Sequence, residues 1–306
     1  MCCVFTTVRV PATTANIGPG FDCLGAALTL YNEFTFNRST SDRALTITVA
    51  GINAEQVGRN ADNLVYQAFS QLFQHIGQAV PPISLHIQMN VPLSRGLGSS
   101  ATAIIGGLVG ANELAGQPLS QAQLAELATV MEGHPDNVVP ALLGGARISA
   151  VGIERAWEVA ELVWHPQIVP VVAIPDFELS TQSARSVLPE TYSRSDAVFN
   201  TSHLALLLQG LAMNNADWLK AALQDKIHQP FRQSLIVGYE AVHAAAIAAG
   251  AHGLVISGAG PTLLALCPAA RAEAVSHAML NTWKNISVNA TTMVLRLDTT
   301  GTVVRV

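Results

Sequence analysis

Charge is scarce in this 306-residue chain, and what there is leans acidic. Only 12% of residues are Asp, Glu, Lys or Arg, with 16 basic against 21 acidic groups and a net charge of −5. No basic stripe interleaved with aromatic residues occurs, which excludes nucleic acid as the main partner. Cysteine is scarce as well. Cys2, Cys3, Cys23 and Cys267 form no C-x-x-C pair and no Cys/His metal spacing. Reduced thiols in a cytoplasmic protein are the expectation. The opening M-C-C-V-F-T-T-V-R-V lacks the charged region and long apolar core of a secretory leader. Ala241 to Gly250 is very apolar, but Glu240 and His243 interrupt it and it is too short to span a bilayer. No membrane partner is expected. Half the residues are hydrophobic, enough for a sizeable core, and the length suits two domains. No repeat, low-complexity tract or long linker divides them.

The densest chemistry lies at Pro92 to Thr102, P-L-S-R-G-L-G-S-S-A-T. Before it, Ile83, Leu85, Ile87, Met89 and Val91 alternate with polar residues, the period of a half-buried strand. After it runs an apolar, Ala-rich stretch with the character of a buried helix. Gly96 and Gly98 therefore sit between a strand and a helix start, where positive φ and close backbone approach let successive N–H groups face one anion. Ser99 and Ser100 can cap the helix or offer hydroxyls, and the helix N-terminus adds partial positive charge. The lysine of G-x-x-x-x-G-K-[ST] is missing, so this is no Walker A loop. It is not G-x-S-x-G either, so a nucleophile elbow is excluded. A serine-capped glycine turn with no ligand has the same local chemistry, and two glycines alone do not separate the readings.

The longer string does separate them. It resembles the nucleotide motif P-x-x-x-G-L-G-S-S-A of the GHMP kinases, which implies that Pro92, Leu93, Ser94, Arg95, Gly96, Leu97, Gly98, Ser99, Ser100, Ala101 and Thr102 form an ATP loop. Upstream, A-N-I-G-P-G-F-D-C-L-G is similar to the family's first motif in its homoserine kinase branch. There the resemblance implies that Asn16 and Asp22 contact homoserine, Asp22 near its amino group or its reacting hydroxyl. A carboxylate suits an ammonium-bearing substrate. The amphipathic stretch after Asn60 predicts a helix with Asp62 or Asn60 as N-cap, and Leu64, Ala68, Leu72 and Ile76 on its apolar face. In the family its first residues lie near adenine, so Asn63 is a candidate nucleotide contact, with a purely capping role as the alternative.

Downstream, Ser120 is expected to cap a helix that ends at Glu132, with Gly133 and Pro135 breaking the chain. An acid at a helix C-terminus opposes the dipole, which points to an external reason for it. E-G-H-P-D-N resembles the same branch and implies that Glu132 ligates Mg²⁺ with Ser99, or with Ser100 in its place. Asn137 stands where mevalonate kinase-like relatives carry an aspartate proposed as base. An amide cannot usefully accept a proton, so transfer would rest on positioning and charge neutralisation. His134 is a candidate substrate contact or acid/base, and a hydrogen-bonded loop histidine is the alternative. S-T-Q-S-A-R-S-V-L-P and H-Q-P-F-R supply Arg185 and Arg232, which by resemblance hold the substrate carboxylate with help from Thr181. Ser257 to Pro261 is similar to the third family motif, beside the triphosphate.

These readings converge on an α+β fold of two domains. The resemblance implies a ribosomal-protein-S5-domain-2-like domain over 1–165 and a ferredoxin-like domain over 166–306. They also imply ATP and Mg²⁺ as cofactors, L-homoserine as substrate and a homodimer of the kind typical of relatives. Two competitors stand beside them. A kinase for another alcohol would keep the loop without needing Asp22 and both arginines. A non-catalytic sensor would have lost Glu132 or the loop serines, and both are intact.

Overall fold

The computed structural model describes residues 5–39, 44–153 and 157–305, so Cys2, Cys3 and Val4 lie outside it. The first half runs β1 (Phe5–Ala15), β2 (Leu24–Arg38), β3 (Leu45–Gly51), α1 (Leu64–His75), β4 (Ile83–Met89), α2 (Ser99–Leu114), α3 (Gln121–Glu132), α4 (Pro135–Leu143), β5 (Ala146–Val151) and β6 (Trp157–Leu162). The second half runs β7 (Ile168–Pro175), α5 (Thr181–Ser186), α6 (Arg194–Met213), α7 (Ala216–Ala222), α8 (Gln229–Arg232), α9 (Tyr239–Ala248), β8 (Gly253–Ile256), β9 (Leu263–Pro268), α10 (Ala272–Asn285) and β10 (Ala290–Val294). A last strand, β11 (Val303–Arg305), closes the chain.

β4 has the expected alternation, with Ile83, Leu85, Ile87 and Met89 turned into the core. It pairs antiparallel with β2 and parallel with β3. β1 runs without a break from Phe5 through Pro11 to Ala15. Its register on β2 shifts between Pro11 and Ala12, and β11 covers only Thr7 to Arg9 on its other side. The N–H that proline lacks is therefore not needed by a ladder. One difference from the sequence reading concerns Pro135, read as a breaker. Gly133 at φ 89° ends α3, but Pro135 then opens α4 at its first position, where its fixed φ suits a helix.

α2 is apolar around nearly its whole circumference because it is covered on all sides. A Cβ on Gly106 would lie 2.3 Å from the Phe34 ring, and one on Gly107 2.2 Å from the Val65 carbonyl. Small residues thus bring this helix close to both β2 and α1, and its N-terminus is rigidly placed. The second sheet has the order β10-β7-β9-β8 with every pairing antiparallel, the ferredoxin-like arrangement expected. The chain then crosses back, and β11 pairs with β1 of the first sheet. Leu24, Ala26 and Leu28 of β2 join Val172 and Ile174 of β7 and Leu207 and Leu211 of α6 in one core between the sheets.

Asn32 anchors the descent from β4 into the loop. Its carbonyl oxygen accepts from the backbone N–H of Asn90 at 2.8 Å and Val91 at 2.9 Å, and its amide donates to Thr102 Oγ1 at 2.9 Å. It is 1% exposed. Asn32→Ala is expected to lower stability by about 2–4 kcal/mol, because buried N–H groups lose their acceptor. A denaturant midpoint within error of the unsubstituted protein would refute this anchoring role.

Candidate functional site

The glycine loop is shaped by what lies against it. Gly96 and Gly98 have φ of 77° and 66°, and Gly98 is the left-handed N-cap of α2. A Cβ would sit 2.3 Å from the Ser257 carbonyl at Gly96 and 2.0 Å from Thr13 Oγ1 at Gly98. Both conformation and space therefore demand glycine here. Thr102 N–H makes the first helical bond, to Gly98 O at 2.9 Å. The amides of Ser99, Ser100 and Ala101 have no partner within the helix, the arrangement that receives a phosphate. Arg95 ties the loop to the second sheet. Its guanidinium donates to the carbonyls of Pro175 at 3.0 Å, Asp176 at 2.6 Å and Leu93 at 3.1 Å, stapling the loop to the end of β7.

A cleft of about 370 Å³ opens between this loop and the second sheet. One end is apolar, lined by Phe34, Val57, Leu64, Val65, Ile87 and Met89. The middle carries the loop, Ser99, Ser100, Glu132 and the Gly258–Gly260 turn. The far end carries Asn16, Asp22, His134, Asp136, Asn137, Thr181, Arg185 and Arg232. An aromatic base, a polyphosphate and a small zwitterion would be accommodated in that order.

At the middle, Ser100 rather than the Ser99 named first above faces Glu132, donating its hydroxyl to the carboxylate at 2.7 Å. The Ser99 backbone carbonyl accepts from Thr102 Oγ1 at 2.8 Å. Burial raises the Glu132 pKa, against the lowering effect of the Ser100 hydrogen bond. A partly buried carboxylate beside a hydroxyl, at the start of a helix whose first amides have no helical partner, is a hard-oxygen pair that fits a small divalent cation. Asp22, His134 and Asp136 also bring ligand-type atoms within 4.8 Å of one another. Their atoms are already engaged in hydrogen bonds, as follows.

Asp22 and Arg185, expected to grip opposite ends of a substrate, grip each other, with Arg185 donating to both carboxylate oxygens at 3.0 and 2.7 Å. Asn16 fixes this segment by accepting from Asp22 N–H at 3.0 Å and donating to Gly258 O at 2.8 Å. Asp136 is 2% exposed and binds the His134 ring and the Asn137 amide. Asn137 Oδ1 in turn accepts from Thr13 Oγ1 at 2.8 Å. Burial lowers the His134 pKa, but the hydrogen bond and charge of Asp136, helped by Glu132 and Asp22, raise it above its ordinary value. Arg232 is 2% exposed and has no carboxylate within ion-pair distance among the described residues. Burial and the neighbouring Arg185 charge push its pKa down to about 10.

The structure thus brings Asn16, Asp22, His134, Asn137, Thr181, Arg185 and Arg232 to one end of one cleft. Asn63 lines the apolar side, but its Oδ1 accepts from the N–H groups of Val65 and Tyr66, so it is the N-cap of α1 in place of Asp62 or Asn60. Within the loop, Pro92, Leu97, Ala101 and Thr102 do not line the cleft, and Leu97 is buried in the core between the sheets. The apolar lining was not foreseen, since it gathers residues from three elements and a loop, β2, α1, β4 and the segment before α1. Phe21 and His228, whose rings stack at 5.2 Å beside the arginines, were also missed, although both lie inside quoted strings.

The fold and the loop define a class. A family model for the GHMP kinases N terminal domain matches residues 63–145, and one for the GHMP kinases C terminal domain matches 204–285. The homoserine kinase of Trichormus variabilis is 60% identical over 295 residues, 96% of this chain and 97% of that protein. That of a Synechococcus strain is 59% identical over 295 residues, 96% of each. Among solved structures, homoserine kinase from Cytophaga hutchinsonii superposes with a TM-score of 0.90 at 29% identity, covering 100% of this chain and 98% of that one. The chain belongs to the homoserine kinase family of the GHMP kinases.

Two tests come from this geometry. Asn63→Asp keeps the cap and is expected to keep both stability and ATP affinity, whereas Asn63→Ala costs about 1 kcal/mol. A drop in ATP affinity without a drop in stability for the Asp variant would make Asn63 a nucleotide contact instead. For His134, a raised folded-state pKa stabilises the fold fully below the ordinary histidine value of 6.5, and that stabilisation is lost as pH rises through the raised value. The stability gap between the unsubstituted protein and His134→Gln should therefore shrink with rising pH. A gap that widens would reverse the assignment.

Proposed function

We propose that this chain transfers the γ-phosphoryl group of ATP to the side-chain hydroxyl of L-homoserine, giving O-phospho-L-homoserine and ADP in threonine biosynthesis. The observation that carries the reading is the charge pattern at the far end of the cleft. A buried guanidinium without a carboxylate lies beside an Asp22–Arg185 pair, in the same cleft as the phosphate loop. These charges complement an amino acid, and a plain alcohol or sugar would leave Arg232 unanswered. Asp22 would take the ammonium group, and Arg185 and Arg232 the carboxylate, with Asn16, Thr181 and His134 bounding the space. The family relationship supports the same substrate.

The phosphates would lie along the amides at the start of α2, with Ser94, Gly96 and Gly98 giving room. Glu132 and Ser100 would hold Mg²⁺, which when bound neutralises charge on the transferring phosphoryl group. Among the described residues, neither carboxylate at the far end of the cleft is free to act as base: Asp136 is held by His134 and Asn137, and Asp22 by Arg185. Asn137, with its oxygen committed to Thr13, would position the substrate hydroxyl through its amide. The chain's contribution is therefore alignment and electrostatics, with the hydroxyl proton leaving to the phosphoryl group itself.

We also place a domain boundary near 165/166, with β11 counted in the first domain because it pairs there. Homodimer formation and a cytoplasmic location belong to the same reading, the latter supported by free Cys23 and Cys267. No helix among the described residues is long and apolar enough to cross a membrane.

An ADP-release assay with Mg·ATP against L-homoserine, mevalonate, galactose and shikimate, with product mass measured, tests the activity. Phosphorylated homoserine is the expected product; turnover of another alcohol alone, or none at all, would overturn the reading. For the metal site, Ser100→Ala and Glu132→Gln should raise the Mg²⁺ requirement at least tenfold while ATP binding partly survives. A larger effect from Ser99→Ala would return the role to Ser99.

A further inference from the structure

Arg232 is an expensive residue to leave as it stands. A guanidinium 2% exposed, next to a second cation and without a carboxylate, needs every acceptor it can find. It has three. Nε donates to Ala184 O at 2.9 Å, and Nη1 faces both Gly258 O and His228 Nδ1 at 3.3 Å. Its remaining nitrogen, Nη2, makes no hydrogen bond among the described residues, and the side chain lines the cleft.

His228 is 0% exposed, and its partners dictate its chemical state. Nε2 lies 3.0 Å from the Gly18 carbonyl, which can only accept, so Nε2 carries the proton. Nδ1 faces a guanidinium, which can only donate, so Nδ1 carries a lone pair. The ring is neutral, as burial also favours. Its other neighbour, Asp225, already accepts from the N–H groups of His228 and Gln229 at 2.8 and 2.6 Å. Gln229 ties the same turn to β8 through the Ile256 N–H. The imidazole is thus held from the backbone side and presents one lone pair to Arg232. Its face stacks on Phe21, and that ring lies under both guanidiniums, 5.1 Å from Arg232 and 5.5 Å from Arg185. Aromatic faces hold cations without competing for their N–H groups.

We propose that His228, with Phe21 as a shared floor, is a positioning residue that turns the free edge of Arg232 toward the substrate carboxylate. This rests on the homoserine reading above. In this arrangement a neutral acceptor takes the place a carboxylate would ordinarily occupy. An acidic partner would satisfy Arg232 within the protein and compete with the substrate. The imidazole fixes the guanidinium but leaves its charge for the ligand. His228 touches no reacting atom, so its loss should weaken recognition of the carboxylate and little else.

The test compares L-homoserine with 3-aminopropan-1-ol, which keeps the hydroxyl and the amine but lacks the carboxylate. Its affinity is read from turnover or, if that is slow, from competitive inhibition against homoserine. His228→Leu should raise the homoserine KM about 10–100-fold, the range for a lost charge-assisted hydrogen bond. Its kcat, its KM for ATP and its affinity for the amino alcohol should stay within about threefold. His228→Asn, which returns an acceptor oxygen near the Nδ1 position, should recover most of the homoserine affinity. An equal loss for both ligands, or an Asn variant no better than Leu, would make His228 merely structural and overturn the proposal. If the Leu variant does not fold, Phe21→Leu serves: it keeps every hydrogen bond named here and should still reduce discrimination between the two ligands. Unchanged discrimination there also refutes the idea. An unsubstituted protein that does not phosphorylate homoserine sinks the functional reading, and this inference with it. An active one with an unmoved ratio sinks the inference alone.

Discussion

The arrangement of the site depends on one steric constraint: the glycine loop is held between two sheets with no room for a side chain. Gly98 presses on Thr13 of β1, Gly96 on the Ser257 carbonyl of the β8–β9 turn, and Arg95 staples the loop to the carbonyls that end β7. Ser257 Oγ closes the contact by donating to Gly96 O at 2.6 Å. Each of these partners comes from a different part of the chain. The amides at the start of α2 are therefore fixed against the same bodies that carry the charged groups. Positioning of that kind is what phosphoryl transfer asks of a protein, since the cost of orientation is met in folding rather than at each turnover.

The charged end follows a second rule, that a buried ion must be answered. Asp22 answers Arg185, and His134 and Asn137 answer Asp136, so these groups form closed pairs. Arg232 is answered only by neutral acceptors and by the face of Phe21. In the proposed reaction the substrate brings, in its carboxylate, the charge that Arg232 lacks. Its ammonium and carboxylate would enter between groups that currently hold each other, so binding exchanges one set of ion pairs for another without stranding a charge. Such a site favours a zwitterion over a neutral alcohol by more than size alone.

Two local misreadings have the same origin. Pro135 was read as an interruption and Pro11 stands inside a strand, and proline does interrupt where a ladder or a helix needs its N–H. Neither site needs one: β1 has a bulge and no second partner at Pro11, and Pro135 stands at the first position of α4. Asn63 misled in the other direction. Its amide lines the cleft, yet its oxygen caps α1. Whether a residue's polar atoms are free or committed depends on neighbours that local patterning does not specify.

The linear order of residues was enough for the strand–loop–helix unit, the alternation of β4, the capping of α3 by Ser120, and the list of polar groups that meet in the cleft. All of that follows from short-range rules: side-chain period, turn chemistry and the missing Cβ of glycine. Only the tertiary structure decided which of those groups pair with one another. It set Ser100 rather than Ser99 against Glu132, joined Asp22 to Arg185 across 163 positions of sequence, and placed Phe21 and His228 beneath the arginines. It also gathered the apolar end from β2, β4, α1 and the segment before α1, none of which carries a motif for it. The reason is physical: hydrogen bonds and ion pairs form between atoms brought together by packing two sheets around one loop, and that packing is a property of the whole chain.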